Sequence, residues 1–470
     1  MRGDWNPLAF TDSYKMGHFR QYPPETRCVY SYFESRGSDR QFGFRETVFF
    51  GLQYLLEQIA GVFVTPERID RAEHRCRRHF GDDRNFNRSG WEHIVAAHGG
   101  RLPVRIRAVA EGSVVPTHNC LMTIENTDPA CYWLTNWLET MLVQVWYPTT
   151  VATQSREMKR VLLRYLAASG DPAAVDFKLH DFGCRGVSSV ETAAIGGAAH
   201  LVNFRGTDNL PALELLAETY GDACGGFSIP ASEHSTITSW GEAHELDAMR
   251  NMLEQYPTGT VACVSDSFDV FRACRDYWGG ALRDQVLHRN GTLVIRPDSG
   301  DPATVVCQVL DILGSRFPTT TNAKGFKLLD RHVRLIQGDG VDFTSLGTIL
   351  EAVTRYGWSA DNLAFGSGGG LLQKLNRDTL KFAFKCSSIT VGDAPHAQQR
   401  DVYKRPVTDN NKQSKSGRFK LIRRDGPDGA TYATVHEHDA GDDELRLVFE
   451  NGSLIDRTTL ADVRRRAAVG

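Results

Sequence analysis

A run of short β-rich segments between residues 177 and 365 constrains the fold of this chain more than any other feature. The segments are Phe177–Phe182, His200–Phe204, Gly226–Ile229, Val261–Val264, Leu293–Arg296, Arg334–Gln337 and Leu363–Phe365, and each ends in small, acidic or basic residues. Successive segments start about 25–40 residues apart, the size of a strand–helix unit in a parallel sheet. Between them, Leu213–Tyr220, Glu242–Gln255, Ser267–Trp278, Ala303–Leu313 and Ser345–Tyr356 space their apolar residues by three and four, as helices do. About seven such units predict an α/β fold built as an irregular (β/α) barrel, with a doubly wound sheet as the alternative. In both architectures ligands bind at the carboxyl ends of the strands.

The flanks read differently. Strands such as Cys28–Glu34 and Val104–Ala110 mix with helices such as Thr47–Ile59 and Tyr132–Trp146 on the amino-terminal side. Short β-like stretches (Phe382–Ser388, Phe419–Arg423, Leu445–Glu450) follow on the carboxyl-terminal side, interrupted by the basic loop Lys404–Arg418. The expected division is therefore residues 1–175 and 379–470 as two parts of one mixed α+β domain, with the barrel at 176–378. A chain of 470 residues accommodates this.

Composition narrows the function classes. A formal charge of −3, from 54 basic and 57 acidic side chains, offers no field for nucleic acid or an anionic membrane. Met1–Phe10 lacks the basic start and apolar run of a signal peptide, and no apolar stretch reaches about 18 residues. The 10 cysteines form no Cys-x-x-Cys pair, which speaks against zinc-ribbon and thioredoxin readings and for free thiols in a reducing cytoplasm.

The strand ends carry the chemistry. After the first come His180, Asp181, Phe182 and Arg185; after the second, Gly206, Thr207 and Asp208. Later ends deliver Glu233 and His234, then Ser265 and Asp266, then Arg296 and Asp298, then Gly338, Asp339 and Gly340. The last ends in Gly366-Ser367-Gly368-Gly369-Gly370. Glycine lets backbone N–H groups approach an anion, and a helix start adds a favourable dipole, so this loop reads as a phosphate cradle, with a flexible turn as the alternative and Gly338-Asp339-Gly340 on the preceding strand in favour of phosphate. No Gly-Lys-Ser/Thr follows it, so it is not a P-loop. Carboxylates such as Asp298 and Asp339 suit ribose hydroxyls or hydrated Mg²⁺, although any single Asp at a strand end is more often a cap. A lone histidine such as His234 is more often a structural hydrogen-bonding residue; the other reading is that Glu233 orients its ring for nucleophilic or base chemistry.

Longer strings resemble the nicotinamide phosphoribosyltransferase family. They include Thr11-Asp12-Ser13-Tyr14-Lys15, Tyr30-Ser31-Tyr32-Phe33-Glu34, Glu125-Asn126-Thr127-Asp128-Pro129 and Lys178-Leu179-His180-Asp181-Phe182-Gly183. Glu233-His234-Ser235-Thr236, Ile295-Arg296-Pro297-Asp298-Ser299-Gly300 and Ile336-Gln337-Gly338-Asp339-Gly340 follow in the family's order. The resemblance implies that nicotinamide attacks phosphoribosyl pyrophosphate to give nicotinamide mononucleotide and pyrophosphate. ATP would be a co-substrate and Mg²⁺ a cofactor held by phosphates and water rather than by direct side-chain ligands. It also implies a homodimer with shared active sites.

Carried over residue by residue, the resemblance makes His234 the histidine that ATP phosphorylates. Asp298 would hold the ribose, with Asp339 close by. Phe182, and Tyr14 from the partner subunit, would sandwich the pyridine ring, and Asp208 would accept the carboxamide N–H. Arg185, Ser265 and Arg296 would bind substrate, and Gly338, Gly368 and Gly369 would cradle the 5′-phosphate. Arg36, Arg377, Lys385, Lys404 and Lys412 would surround pyrophosphate or ATP phosphates. Cys184, Ala383, Arg405 and a short loop after Arg36 depart from the family's pattern. Three alternatives stand beside this reading: a nicotinate phosphoribosyltransferase, a barrel aldolase or isomerase acting on sugar phosphates, and a catalytically silent binding protein.

Overall fold

The fold is seen in a computed structural model that describes residues 5–408, 413–426 and 429–469. Two compact units divide the chain. One comprises 1–153, 219–221 and 376–467, and the other 154–218, 222–375 and 468–470.

The second unit is an irregular parallel barrel. Its strands are β1 (Leu179–Asp181), β2 (Gly206–Thr207), β3 (Val261–Val264), β4 (Leu293–Arg296), β5 (Val333–Gln337) and β6 (Leu363–Ser367), in the order β2-β1-β6-β5-β4-β3. All pairings are parallel, with Leu335 of β5 opposite both Leu363 and Ile295. Near-continuous apolar runs suit strands covered on both faces. The two edge strands are joined by one segment, because Phe227 bridges Gly206 and Ala231 bridges Ala262. Ala262, Val294 and Ile336 pack inside, with Ile229, Ala364 and Phe182 against them. This is the layered filling expected of a barrel interior.

Helices follow from their caps. Asp301 accepts the Thr304 N–H at 2.9 Å ahead of Pro302–Arg316, and Pro302 sits where its missing N–H costs nothing. Asp342 and Ser345 form a reciprocal capping box ahead of Phe343–Arg355.

Two expected strands fold otherwise. His200–Phe204 is the end of the helix Val190–His200 and the turn after it. The strand is the two-residue β2 instead, where a Cβ on Gly206 would meet His180 Nδ1 at 2.4 Å, so glycine permits the pairing. Gly226–Ile229 makes one isolated bridge, at Phe227, rather than a ladder. Residues 154–175 belong to the barrel unit, not the flanking one, because Lys159 binds Asp176 and the Asn203 carbonyl, both at 2.7 Å.

The first unit is built on a seven-stranded antiparallel sheet. Its order is Gln398–Asp401, Phe382–Val391, Thr26–Ser35, Cys120–Asn126, Val104–Ala108, Arg446–Glu450 and Ser453–Leu454. Thr26–Ser35 pairs with Phe382–Val391, so strands from both ends of the chain lie side by side. The expected helix from Thr47 starts only at Leu52, since Glu46–Val48 pairs with Val114–Pro116. Among the described residues no helix is long and apolar enough to cross a membrane.

Candidate active site

Every barrel candidate but His234, which follows the isolated bridge at Ala231, lies at or just beyond a strand's carboxyl end, and strand order makes them neighbours. Asp208 follows β2, Phe182 follows β1, the Gly366–Gly370 turn ends β6, Gly338 and Asp339 follow β5, Asp298 follows β4, and Ser265 and Asp266 follow β3.

Phe182 is the pivot. Its N–H donates to the Ser367 carbonyl at 3.0 Å. A Cβ on Gly366 would lie 2.0 Å from its ring, and one on Gly338 would lie 3.4 Å from the ring and 3.1 Å from Asp298 Oδ1. The ring therefore rests on two glycine backbones, beside Asp298. Behind it, buried Asp181 accepts the Gly183 N–H at 2.7 Å and Asn209 Nδ2 at 2.8 Å, which fixes the turn that carries Phe182. Burial pushes the Asp181 carboxyl up to about 6, against those two hydrogen bonds.

Asp298 gathers the opposite side. Arg296 Nη2 donates to its Oδ2 at 3.2 Å. Burial raises its pKa, Arg296 and His234 oppose that, and Asp266 and Asp339 add to it. These five ionisable groups therefore lie close together. Arg296 Nε is buried without a partner among the described residues.

His234 finds a different orienting partner from the expected one. Its Nε2–H donates to Asp266 Oδ1 at 2.9 Å, on the neighbouring strand end. Glu233 instead caps Ser235 and Thr236 and lies 3.8 Å from Arg185. Asp266 stands after its strand as the sequence implies, but its role beside His234 was not legible there; the clue was its position at the end of the adjacent strand. With Nε2 protonated, Nδ1 keeps the lone pair.

Asp208 accepts a hydrogen bond from Ser228 and is otherwise open to solvent. Arg185 is exposed, in a turn where a Cβ on Gly186 would lie 3.4 Å from the Gly369 nitrogen. A Cβ on Gly369 would meet nothing within 4 Å, leaving open space above the cradle. Ser265 is drawn inward, donating to the Cys263 carbonyl and accepting Trp278 Nε1, both at 3.0 Å.

The other candidates belong to the antiparallel unit. Tyr14 is 62% exposed on the short helix Ser13–Arg20. Burial lowers the Lys385 pKa; Glu139 opposes this, while Arg36, Lys404 and Lys15 add to it, so these cations crowd together. Arg36 donates to Glu34 at 2.9 Å, yet its buried Nη2 has no partner among the described residues. Arg377 is exposed, 3.8 Å from Asp378. Lys412 lies outside the described residues.

Residues 177–453 match the nicotinate phosphoribosyltransferase (NAPRTase) family model, and residues 6–106 match that of the nicotinamide phosphoribosyltransferase N-terminal domain. A nicotinamide phosphoribosyltransferase of Xanthomonas campestris pv. campestris is 50% identical over 98% of both chains. One of Acinetobacter baylyi is 34% identical over 98% of this chain and 97% of its own. Among solved structures, a nicotinate-nucleotide pyrophosphorylase from Pyrococcus furiosus superposes with TM-score 0.63 at 14% identity, covering 99% of this chain and 96% of that one. Human nicotinic acid phosphoribosyltransferase gives 0.57 at 16%, covering 97% and 92%. These two likenesses concern the fold.

Proposed function

The chain belongs to the nicotinamide phosphoribosyltransferase family, pentosyltransferases of NAD biosynthesis, and on that premise we propose that it joins nicotinamide to phosphoribosyl pyrophosphate with ATP hydrolysis coupled through His234. The observation that carries this reading is the seating of Phe182 on Gly366 and Gly338 beside Asp298, one strand from Asp208. An aromatic face, a carboxylate for ribose and an acceptor for an amide N–H then meet one mononucleotide.

In this reading the C1–O bond to pyrophosphate lengthens as the pyridine nitrogen forms its bond to C1, through an oxocarbenium-like state. Phe182 holds the ring in line, with Tyr14 of a second subunit on its other face, so the working species is a homodimer in the cytoplasm. Asp298 accepts from the ribose hydroxyls, with Asp339 beside it. Arg185, Arg296 and the Gly338, Gly368 and Gly369 backbones take the 5′-phosphate, supported by the unpartnered Arg296 Nε. Arg36, Arg377, Lys385, Lys404 and Lys412 serve the pyrophosphate and ATP phosphates, supported by the crowding at Lys385.

Mg²⁺ suits the oxygen-only side chains of Asp298 and Asp339, yet no three donors converge at this rim among the described residues. The ion would rest mainly on phosphate and water oxygens and would neutralise the departing pyrophosphate.

His234 Nδ1 attacks the γ-phosphorus of ATP, the electrons of the broken P–O bond leave with ADP, and water later returns the histidine and phosphate. Asp266 holds the ring for that attack.

A nicotinate-specific activity is the second reading, favoured by the family model over residues 177–453. Asp208 speaks against it, since its carboxylate would repel the carboxylate of nicotinate where it accepts the amide N–H of nicotinamide. Both substrates should be offered with phosphoribosyl pyrophosphate, Mg²⁺ and ATP. Nicotinamide is expected to be preferred, and Asp208→Asn to narrow the gap by about 10-fold or more. A parent that prefers nicotinate ends the assignment. His234→Ala is expected to lose ATP stimulation while keeping basal transfer, and an undiminished stimulation removes the phosphohistidine step.

A further inference from the structure

A second cluster of ligand atoms lies in the antiparallel unit. His93 and His98 occupy the helix Arg88–His98, and Asp128 lies in the loop after the strand Cys120–Asn126. His93 Nε2 and His98 Nε2 approach the same oxygen, Asp128 Oδ2, at 2.7 and 2.6 Å. The three donor atoms lie within 4.8 Å of one another, and all three residues are half-buried, which leaves a path for an ion.

We propose that His93, His98 and Asp128 form a binding site for a divalent transition metal of the zinc class. Two imidazole nitrogens and one carboxylate oxygen are a donor set for Zn²⁺ or Co²⁺, whereas Mg²⁺ prefers oxygens alone. Tetrahedral zinc, with bonds of about 2.0–2.1 Å, separates its ligands by about 3.4 Å. Each Nε2–Oδ2 pair therefore opens by less than 1 Å, roughly the difference between its present distance and that one. A water fills the fourth position.

The scaffold is built to hold such a site. Arg88, at the start of the helix, reaches Asp70, Glu73 and Glu92 at 2.7–2.8 Å, and Asn87 caps the Gly90 N–H. His98 ends the helix before Gly99 (φ 59°), where the carbonyl dipoles favour a cation. Asp128 Oδ1 is engaged with the Ala130 N–H at 2.8 Å, which turns Oδ2 toward the histidines. Asn126 Nδ2 holds the Asp128 carbonyl at 2.8 Å. Burial works against the Asp128 carboxylate, but His98, His93 and the Ala130 N–H hold its pKa down to about 2, so the ligand is charged at neutral pH. On binding, each neutral ring keeps its proton by moving it from Nε2 to Nδ1, and a ring that starts as imidazolium releases one proton.

The metal would clip the helix to the loop, and its neighbours report it. Trp91, on the same helix, meets Trp133 at 4.7 Å and Trp137 at 5.2 Å between ring centroids. Metal-stripped full-length protein should be titrated with ZnCl₂ in a Cys224→Ser background, which removes the exposed thiol. The expected result is one equivalent of Zn²⁺ per chain that is lost in His98→Gln, with affinity falling by more than about 100-fold, beyond the loss caused by disturbing an outer shell. Asp128→Asn is the second variant, because asparagine keeps the cap. Unchanged basal phosphoribosyl transfer verifies that each variant is folded. Zn²⁺ should raise the melting temperature of the parent alone. Co²⁺ should quench tryptophan emission in the parent and not in the variants, and Mg²⁺ should do neither. Equal stoichiometry and quenching in parent and variants overturns the proposal.

Discussion

The two units use charge in opposite ways. In the antiparallel unit, charges join segments far apart in sequence. Arg418 donates to Glu125 at 2.7 Å and to Glu437 at 2.9 Å, with its guanidinium 4.4 Å from the Tyr30 ring centroid. Glu34 receives both Arg36 and Lys415. At the barrel rim, by contrast, Arg185 is 86% exposed and Asp298 has one weak arginine contact. Parallel strands deliver loops from separate units to one edge, so a rim can hold charges that match a ligand rather than each other. An antiparallel sheet with both chain ends in it must instead hold its own seams.

The sharpest way to break that contrast is steric. Gly366→Ala places a methyl 2.0 Å from the Phe182 ring, whereas Gly347→Ala, inside the helix Phe343–Arg355, meets only Val161 Cγ1 at 4.0 Å. Displacing the ring by about 1 Å should cost about 100-fold or more in kcat/KM. The second variant should stay within a few-fold. If both variants keep full activity, Phe182 is not the seat of the substrate.

Next comes a crossed pair of arginines. Arg418→Met leaves the half-buried Glu125 its 3.4 Å contact with Arg105 as the remaining ion pair among the described residues and should destabilise the antiparallel unit by about 2 kcal/mol in urea unfolding, with kcat/KM of the folded enzyme nearly unchanged. Arg185→Ala should do the reverse, costing less than about 0.5 kcal/mol in stability but weakening phosphoribosyl pyrophosphate binding. If Arg185 proves the more stabilising of the two, the division of labour described above fails.

Much of this was legible in the sequence, for identifiable reasons. The strands Val261–Val264 and Leu293–Arg296 matched their predicted bounds because a short apolar run ended in Ser-Asp or Pro-Asp leaves little room for drift. The barrel class followed from their spacing. What failed needed knowledge of neighbours. His200–Phe204 looked like a strand, yet His200 is a buried helix end, and the pairing passed to Gly206–Thr207, too short to show periodicity. Asp266 became the partner of His234 through strand adjacency, 32 residues away, while nearby Glu233 took the cap. The His93–His98–Asp128 cluster spans a five-residue step on one helix and a 30-residue jump to a loop, a pattern no local rule picks out.

The smallest expected effect concerns a buried acid at the rim. Asp181 is fully buried, and burial raises its pKa from an ordinary 3.8 up to about 6. Its protonated form is therefore favoured in the folded state. That contribution to stability is complete below 3.8 and is lost as pH rises through about 6. Between about pH 5 and about pH 7 the parent should lose about 1 kcal/mol through this group alone. Asp181→Asn mimics the neutral acid and cannot ionise, so its melting curve should lack this component even if its baseline shifts. Parallel pH profiles for parent and variant would mean that Asp181 is ionised at no cost. The turn that carries Phe182 would then resemble the satisfied seams of the antiparallel unit more than an underpaired rim.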